Sequence, residues 1–166
     1  MKPAARDLGD RVRAVHRRFP TGVTIVTTCT EGRPYGLAVN AFASISLDPP
    51  LVVACIAGTS QTYPHLSSES HLGINILSST QSAIATTFAR SGGDKFRGLA
   101  WRPGVTGVPV LDGVSAHLEV ETQARIRAHT HTMFIGRVVA AAAADVPPLV
   151  YLAGDFFDGG ELKACA

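Results

Sequence analysis

The sequence predicts a mainly β fold, a small antiparallel barrel with a few short helices, and two observations carry this prediction. First, apolar and polar residues alternate as in a strand, most clearly from Leu118 to Ala128. There the even-numbered residues form an apolar face and the odd-numbered residues His117 to Arg127 form a wet one. Second, connections are short and strands do not alternate regularly with helices, which disfavours a parallel sheet. The 166 residues suffice for one domain spanning 1–166.

The N-terminal segment is predicted to be a helix over about 7–19 that ends at Pro20. Its apolar residues recur on one helical face: Leu8, Val12, Val15 and Phe19. After Pro20 the period changes, and β-branched residues become frequent. The barrel is therefore expected to occupy about 21–158.

Seven segments within that range are predicted as strands. They are Val23–Cys29, Tyr35–Phe42, Leu51–Ala57, His71–Leu77, Leu118–Ala128, Met133–Ala141 and Leu149–Phe157. A weak helix is expected over Thr62–Ser68. A second one follows Ser78 and Gln81, which have the spacing of a capping box. The alanine run Ala140–Ala144 is interpreted as a strand end followed by a loop.

Composition excludes several classes of protein. Hydrophobic residues make up 46% and charged residues 17% of the chain, which excludes a disordered chain or a coiled coil. The apolar runs are too short for a membrane helix, and a net charge of +2 is too small to indicate nucleic-acid binding. So low a charge fraction favours an oligomer interface. Three cysteines without a CxxC motif indicate a reduced, cytoplasmic protein without a disulfide framework or zinc site.

The common nucleotide and hydrolase motifs are absent from the sequence: it contains no GxGxxG, GxxxxGK[ST] or GxSxG. His129 and His131 form an HxH pattern that is expected to lie on one strand face. Because no third ligand has suitable spacing, no metal site is predicted.

Three further segments allow a binding role and an ordinary structural one. Asn40, Ser44 and Ser46 share one parity, which suits either a flat ligand or a strand leaving the barrel. The hydroxyl-rich turn Gly58–Thr62 suits either a phosphate or a helix cap. Arg90 or Lys95 would either neutralise a phosphate or remain as a solvated surface charge.

Six segments, in order and over about residues 10–158, together resemble the flavin reductase-like family. Phe19–Thr28 reads FPTGVTIVTT, and Asn40–Leu51 reads NAFASISLDPPL. The remaining four are Ser60-x-Thr62, Phe88-Ala89 followed by Asp94-Lys95-Phe96, His131–Val138 with its GRV ending, and Pro148–Tyr151. Any one of these segments is weak evidence, but six in order are specific.

The resemblance implies a split β-barrel, a homodimer and a flavin site at the subunit interface. It also implies reduction of FMN or FAD by NADH or NADPH, with reduced flavin supplied to a flavin-dependent monooxygenase. By position, the isoalloxazine ring would be lined by Val39, Asn40, Ala41 and Ser44. The ribityl chain and phosphate would be held by Ala57, Ser60 and Thr62, with Arg90 or Lys95 supplying positive charge. His131 and Tyr151 would face the nicotinamide, and His131 is the predicted catalytic residue.

The chain departs from the family pattern beside this histidine. The family usually has Gly-Asp there, whereas this chain has His129-Thr130, which removes an acidic group next to His131. The missing triad and metal motifs agree with hydride transfer between cofactors, which themselves supply the reactivity. Two alternatives on the same barrel are a flavin-dependent reductase or oxidase of another substrate, such as a corrinoid, and a non-enzymatic flavin- or haem-binding protein.

Overall fold

The computed structural model describes residues 5–165, with side chains from residue 8 onward. The helices are α1 Ala5–His16, α2 Tyr63–Ser68 and α3 Ser82–Ala89. The first eight strands are β1 Thr21–Gly22, β2 Thr24–Thr30, β3 Arg33–Val39, β4 Phe42–Leu47, β5 Pro50–Ala57, β6 His71–Ile76, β7 Trp101–Pro103 and β8 Pro109–Leu111. The last four are β9 Ala116–Ala128, β10 His131–Ala143, β11 Leu149–Leu152 and β12 Asp155–Asp158. The predicted domain also includes residues 1–4 and 166, which lie outside the described residues.

The main sheet is antiparallel, and its seven strands lie in the order β3-β2-β6-β9-β10-β5-β4. Its two edge strands, β3 and β4, are consecutive in the chain and are separated only by Asn40 and Ala41. A chain gains at most about 3.6 Å per residue, so Val39 and Phe42 lie within about 11 Å of each other. The sheet therefore curls until its edges approach without pairing, which confirms the prediction of a split antiparallel barrel.

The barrel interior is filled by side chains from alternate strand positions. On β5, for example, Val52, Ala54 and Ile56 are buried, while the residues between them are half-buried. The fully buried Phe134 of β10 belongs to the same cluster. The barrel is thus a packed core, and ligands have to bind outside it.

A second core cluster lies on the outer side of β2. It contains Ile25 of that strand, Phe88 of α3, Leu111 of β8 and Leu149 of β11. Strands β7 and β8 form a separate hairpin, and β1, β11 and β12 form a three-stranded sheet. These additions position α3 and the loop after it against β3.

Several boundaries differ from those predicted. The predicted strand Tyr35–Phe42 is interrupted at Asn40-Ala41, and the predicted strand Leu149–Phe157 is a hairpin. That hairpin turns at Ala153 and Gly154, whose φ angles are +59° and +112°. The β7–β8 hairpin was not predicted, and β10 continues through the alanine run as far as Ala143.

The wet-face prediction is wrong at Glu119, whose side chain is buried. Its carboxylate accepts hydrogen bonds from the Thr106 amide at 2.7 Å, the Thr106 hydroxyl at 2.6 Å and the Val105 amide at 2.9 Å. Desolvation acts to raise the pKa of Glu119, but these hydrogen bonds outweigh it and hold the pKa below the usual glutamate value. Glu119 therefore fastens the loop between β7 and β8 to the barrel.

The N-terminal helix α1 forms as predicted but ends at His16, three residues earlier than expected. Its predicted apolar face does not pack on the barrel: Leu8, Val12, Val15 and Phe19 are all exposed. Among the described residues, no helix is both long and apolar enough to cross a membrane.

Candidate functional site

The turn at residues 58–62, which connects β5 to α2, separates two cavities. Gly58 and Thr59 line one cavity, and Gln61 and Thr62 line the other. The amide of Gly58 donates to the Thr130 carbonyl at 2.9 Å, which ties the turn to the β9–β10 hairpin. A short segment of chain thus forms part of both walls.

The first cavity, here called the lysine cavity, has a volume of about 550 Å³. It is lined by Arg33, Pro34, Tyr35, Gly36, Gln61, Thr62, His65, Gly93, Asp94, Lys95 and Phe96. Strand β3 forms its floor, α2 forms one side and the loop after α3 forms the other. Its size falls within the usual range for small-molecule sites, about 300–1,000 Å³.

Lys95 is the half-buried cation of this cavity. Its Nζ donates to the Phe88 carbonyl at 3.1 Å and to the Gly36 carbonyl at 3.4 Å. Desolvation lowers the pKa of Lys95 below the usual lysine value. No carboxylate among residues 8–165 forms a salt bridge with it. The ammonium group is therefore hydrogen-bonded to backbone carbonyls but not neutralised by a carboxylate. An anion site requires such an unneutralised positive charge.

Two local features bring Lys95 to β3. Gly92 and Gly93 have φ angles of +79° and +76°, so the chain can turn sharply after α3. Gly36 allows α3 to lie close, because a Cβ at that position would be 2.8 Å from a ring carbon of Phe88.

The hydroxyls of the 58–62 turn are already hydrogen-bonded in part. The buried Thr62 hydroxyl donates to the Gly36 carbonyl at 2.9 Å and does not cap α2. The Ser60 hydroxyl accepts from the Thr62 amide at 3.2 Å, so it remains free to donate. Ser60 thus retains a proton to donate but itself lines neither cavity, whereas Thr62 fixes the wall of the lysine cavity.

The lysine cavity also contains residues that the sequence patterns did not identify. Tyr35 and His65 stack with ring centroids 3.4 Å apart and planes inclined by 13°. Arg33 lies beside them at the cavity rim. His65 is far in sequence from Arg33 and Tyr35, and none of the three belongs to a motif, so only the fold brings His65 to the other two.

The second cavity, here called the hairpin cavity, has a volume of about 650 Å³. It is lined by Gly58, Thr59, Tyr63, Arg127, His129, Thr130, His131 and Thr132. Position 129 has a φ of +54° and lies in the β9–β10 turn, so the predicted placement of both histidines on one strand is wrong. His131 begins β10, is exposed, and its Nδ1 lies 2.9 Å from the Thr130 hydroxyl.

Tyr63 lies in the wall of the hairpin cavity and was also missed in the sequence. Its hydroxyl lies 2.9 Å from the Thr132 hydroxyl. This hydrogen bond lowers the pKa of Tyr63 below the usual tyrosine value, with smaller contributions from Ser67 and nearby arginines. The pair fixes the ring beside the start of β10. No group of three potential ligand residues within the described part of the chain could hold a metal ion.

Several predicted site residues lie together. Ala57 is the cross-strand partner of His131, and its carbonyl accepts from the Ser60 amide at 3.0 Å. These three residues join the hairpin cavity to the 58–62 turn. Thr62 and Lys95 share the lysine cavity.

The predicted ring-binding residues follow the gap between the barrel edges. Asn40 and Ala41 are exposed at the break between β3 and β4, and the Ala41 carbonyl accepts from the Cys55 amide at 2.9 Å. Ser44 is exposed on edge strand β4, and a register shift separates it from Ser46, so the uniform parity predicted for this segment fails. Val39 is buried in the core, pairs with Thr24 of β2, and its carbonyl accepts from the Thr24 hydroxyl, so its side chain does not face a ligand.

Two predicted residues lie elsewhere. Arg90 follows α3, is exposed and lines neither cavity. Tyr151 lies on β11, opposite Thr21, with its ring 5.8 Å from that of Phe156. It also lines neither cavity.

Comparisons with known proteins give consistent results. A sequence model described as "Flavin reductase like domain" matches residues 16–160. The chain is 41% identical, over 140 residues and 84% of its length, to the reductase component of the flavin-dependent trigonelline monooxygenase of Acinetobacter baylyi, of which it covers 45%. It is 41% identical, over 83% of its length, to an FMN reductase (NADH) of Agrobacterium fabrum, of which it covers 79%. The chain spans about half the length of some of its curated relatives.

A solved structure supports the fold. The NADH:FAD oxidoreductase of Streptomyces globisporus, in complex with NAD and FAD fragments, superposes with a TM-score of 0.86 at 30% identity. The alignment covers 95% of this chain and 96% of that one.

Proposed function

Since this chain belongs to the flavin reductase-like domain family, we propose that it reduces FMN or FAD with NADH or NADPH. The observation that carries the proposal is the lysine cavity, in which a half-buried cation without a described carboxylate partner lies beside a turn with a free hydroxyl. Relatives described as an FMN reductase (NADH) and as an NADH:FAD oxidoreductase support the same reaction.

The residues present fit the phosphate of a flavin. Lys95 supplies positive charge inside the cavity, and the Ser60 hydroxyl, in the turn beside the cavity, has a proton to donate. Thr62 acts by holding Gly36 and thereby the cavity floor. Because Arg90 lines neither cavity, the charge role goes to Lys95.

The exposed gap between the barrel edges suits the flat isoalloxazine ring. Asn40 and Ser44 offer polar groups there, while the small exposed side chain of Ala41 leaves space for a ring to approach. Ala57 connects this gap to the phosphate side along β5. The ring would thus lie over the outer surface of the barrel, since the interior is filled.

When bound, a flavin accepts a hydride at N5 from C4 of a reduced nicotinamide. The protein's task is to hold the two rings in contact and in the correct orientation. His131, at the edge of the hairpin cavity, is assigned to orient the nicotinamide. Its Nδ1 is engaged with Thr130, which leaves Nε2 to face the ligand.

We propose a homodimer as the functional unit. Ile45 and Leu47 of edge strand β4 are 49% and 87% exposed, and unpaired edges of this kind are usually covered. The ring-binding residues are exposed, and Tyr151 lines neither cavity of one subunit. A site that includes all of them is incomplete without a second copy.

The proposed partner is a flavin-dependent monooxygenase that uses the reduced flavin. The Acinetobacter relative, which is the reductase component of such an enzyme, supports this assignment. A cytoplasmic location is proposed as well, in line with the free state of Cys29, Cys55 and Cys165.

A steady-state assay tests the proposed function. Purified protein is mixed with excess FMN or FAD and with NADH or NADPH, and nicotinamide oxidation is followed in all four combinations. The proposal expects many turnovers per subunit in at least one combination. Oxidation no faster than without protein in all four would contradict it.

A further inference from the structure

The lysine cavity is larger than a single flavin phosphate requires. Lys95 and Thr62 both donate to the Gly36 carbonyl, and Tyr35, His65 and Arg33 line the same cavity. The total volume of about 550 Å³ is large for a phosphate alone. The additional space therefore needs its own explanation.

This additional space has a flat aromatic side. The Tyr35 and His65 rings are nearly parallel, with centroids 3.4 Å apart, and both side chains are half-buried. A stacked pair at a cavity wall is a platform for another planar group, and aromatic side chains bind nucleobases in this way.

Polar groups surround the platform. Arg33 is exposed at the rim and forms no salt bridge with any carboxylate of the described residues. Asp94 lines the same cavity, and its Oδ1 accepts from the Phe96 amide at 3.2 Å. A second carboxylate oxygen is then left for hydroxyl donors, as in sites that bind ribose. Base, sugar and phosphate each have a matching group.

We propose that this part of the lysine cavity binds the adenosine 5′-phosphate half of a dinucleotide cofactor, on the premise that the proposed function holds. Tyr35 and His65 take the adenine, Asp94 the ribose, and Arg33 the adenylate phosphate. FAD and the nicotinamide dinucleotide both contain this group. FAD is the favoured source, because Lys95 of the same cavity is assigned to the flavin's own phosphate and the two phosphates of FAD are adjacent.

Paired binding measurements test this inference. The dissociation constants of FAD and FMN are measured by quenching of flavin fluorescence, without nicotinamide. Separately, the KM values for NADH and for reduced nicotinamide mononucleotide are measured with FMN as acceptor. The variants are Tyr35→Leu, Tyr35→Phe and Arg33→Ala, with Arg102→Ala as a control that removes an exposed arginine outside the cavity.

Tyr35→Leu is expected to weaken FAD binding by roughly 5- to 150-fold, the range for loss of one base-stacking contact. FMN binding should remain within twofold of wild type, and Tyr35→Phe, which keeps the ring, should bind FAD normally. Arg33→Ala should also weaken FAD selectively, while Arg102→Ala should not. Unchanged FMN binding also shows that the variants are folded.

The flavin-affinity and nicotinamide-KM measurements together identify which cofactor supplies the adenosine 5′-phosphate group. A loss confined to FAD assigns the site to the flavin, and a rise confined to the KM for NADH assigns it to the nicotinamide dinucleotide. If Tyr35→Leu and Arg33→Ala leave both the FAD-to-FMN ratio and the NADH-to-mononucleotide ratio unchanged, the inference is overturned. Because wild-type FMN reduction is measured in the same series, failure of the proposed function would be recognised separately.

Discussion

Replacement of Lys95 by Met removes the cation of the lysine cavity and keeps a side chain of similar length. Lys95 contributes a half-buried ammonium group, which donates to two carbonyls and has no carboxylate partner among the described residues. Hydrogen bonds that involve a charged group contribute about 1.5–3 kcal/mol net. FMN should therefore bind roughly 10- to 150-fold more weakly to Lys95→Met, since about 1.4 kcal/mol corresponds to one decade.

The assay is a fluorescence titration of FMN and of riboflavin, which has the same ring but no phosphate. Riboflavin should bind Lys95→Met almost as it binds the wild type. Arg97→Met serves as the matched control, because Arg97 is exposed in the same loop and does not line the cavity. Arg90→Met should also leave the FMN affinity unchanged, since Arg90 lies outside both cavities.

Two results would refute this reasoning. Equal losses of FMN and riboflavin affinity would mean that Lys95 supports the fold or the ring and not the phosphate. A large loss of FMN affinity in Arg90→Met with none in Lys95→Met would show that Arg90, and not Lys95, supplies the charge for the phosphate.

The remaining predictions concern His131, Glu119 and the quaternary structure. His131→Ala should slow flavin reduction and raise the KM for the nicotinamide while leaving flavin affinity unchanged. His16→Ala, which removes an exposed histidine outside both cavities, is the control, and a wild-type reduction rate of His131→Ala in stopped flow would refute the assigned role. Because the folded pKa of Glu119 is lowered, its stabilisation is complete above the unfolded glutamate pKa of about 4.3 and is lost as the pH falls through the folded value. Urea unfolding should thus show a smaller loss of stability on acidification in Glu119→Gln than in wild type, and equal losses would count against the predicted linkage. Sedimentation at micromolar concentration should give a dimer, and a 17.4 kDa monomer that still binds flavin would exclude the proposed assembly.

Much of the fold could be predicted because local patterns determine it. The capping box is one example: the Ser78 amide donates to Oε1 of Gln81 at 3.1 Å, as the spacing indicated. Six of the seven barrel strands lie within or overlap segments predicted from β-branched or alternating residues, whereas the edge strand β4 was not predicted as a strand.

The strand interruptions could not be predicted from the same patterns. Ala153 adopts a positive φ although alanine carries no turn signal, and the β7–β8 hairpin has strands too short to show a period. Glu119 was expected in solvent because glutamate usually is. Only the distant loop at Val105 and Thr106 supplies the donors that allow its burial.

Some residues of the candidate site could likewise be predicted from the sequence, and others depend on the fold. Thr62 and Lys95 lie in recognisable segments, so the sequence could nominate them. It could not choose Lys95 over Arg90, because that choice depends on how the loop at Gly92 and Gly93 turns back toward β3. The Tyr35–His65 pair has no sequence signal at all, since it results from α2 packing beside β3.

The central claim is that this chain transfers a hydride from a reduced nicotinamide to a flavin, and anaerobic stopped flow tests it most directly. Flavin-loaded protein is mixed with NADH, or with NADH deuterated on one or the other face of C4, and bleaching of the flavin is followed. We predict bleaching much faster than in free solution, and slowing by deuterium on one face only. Bleaching at the rate of free flavin, or no effect of deuterium on either face when the chemical step is observed, would contradict the account.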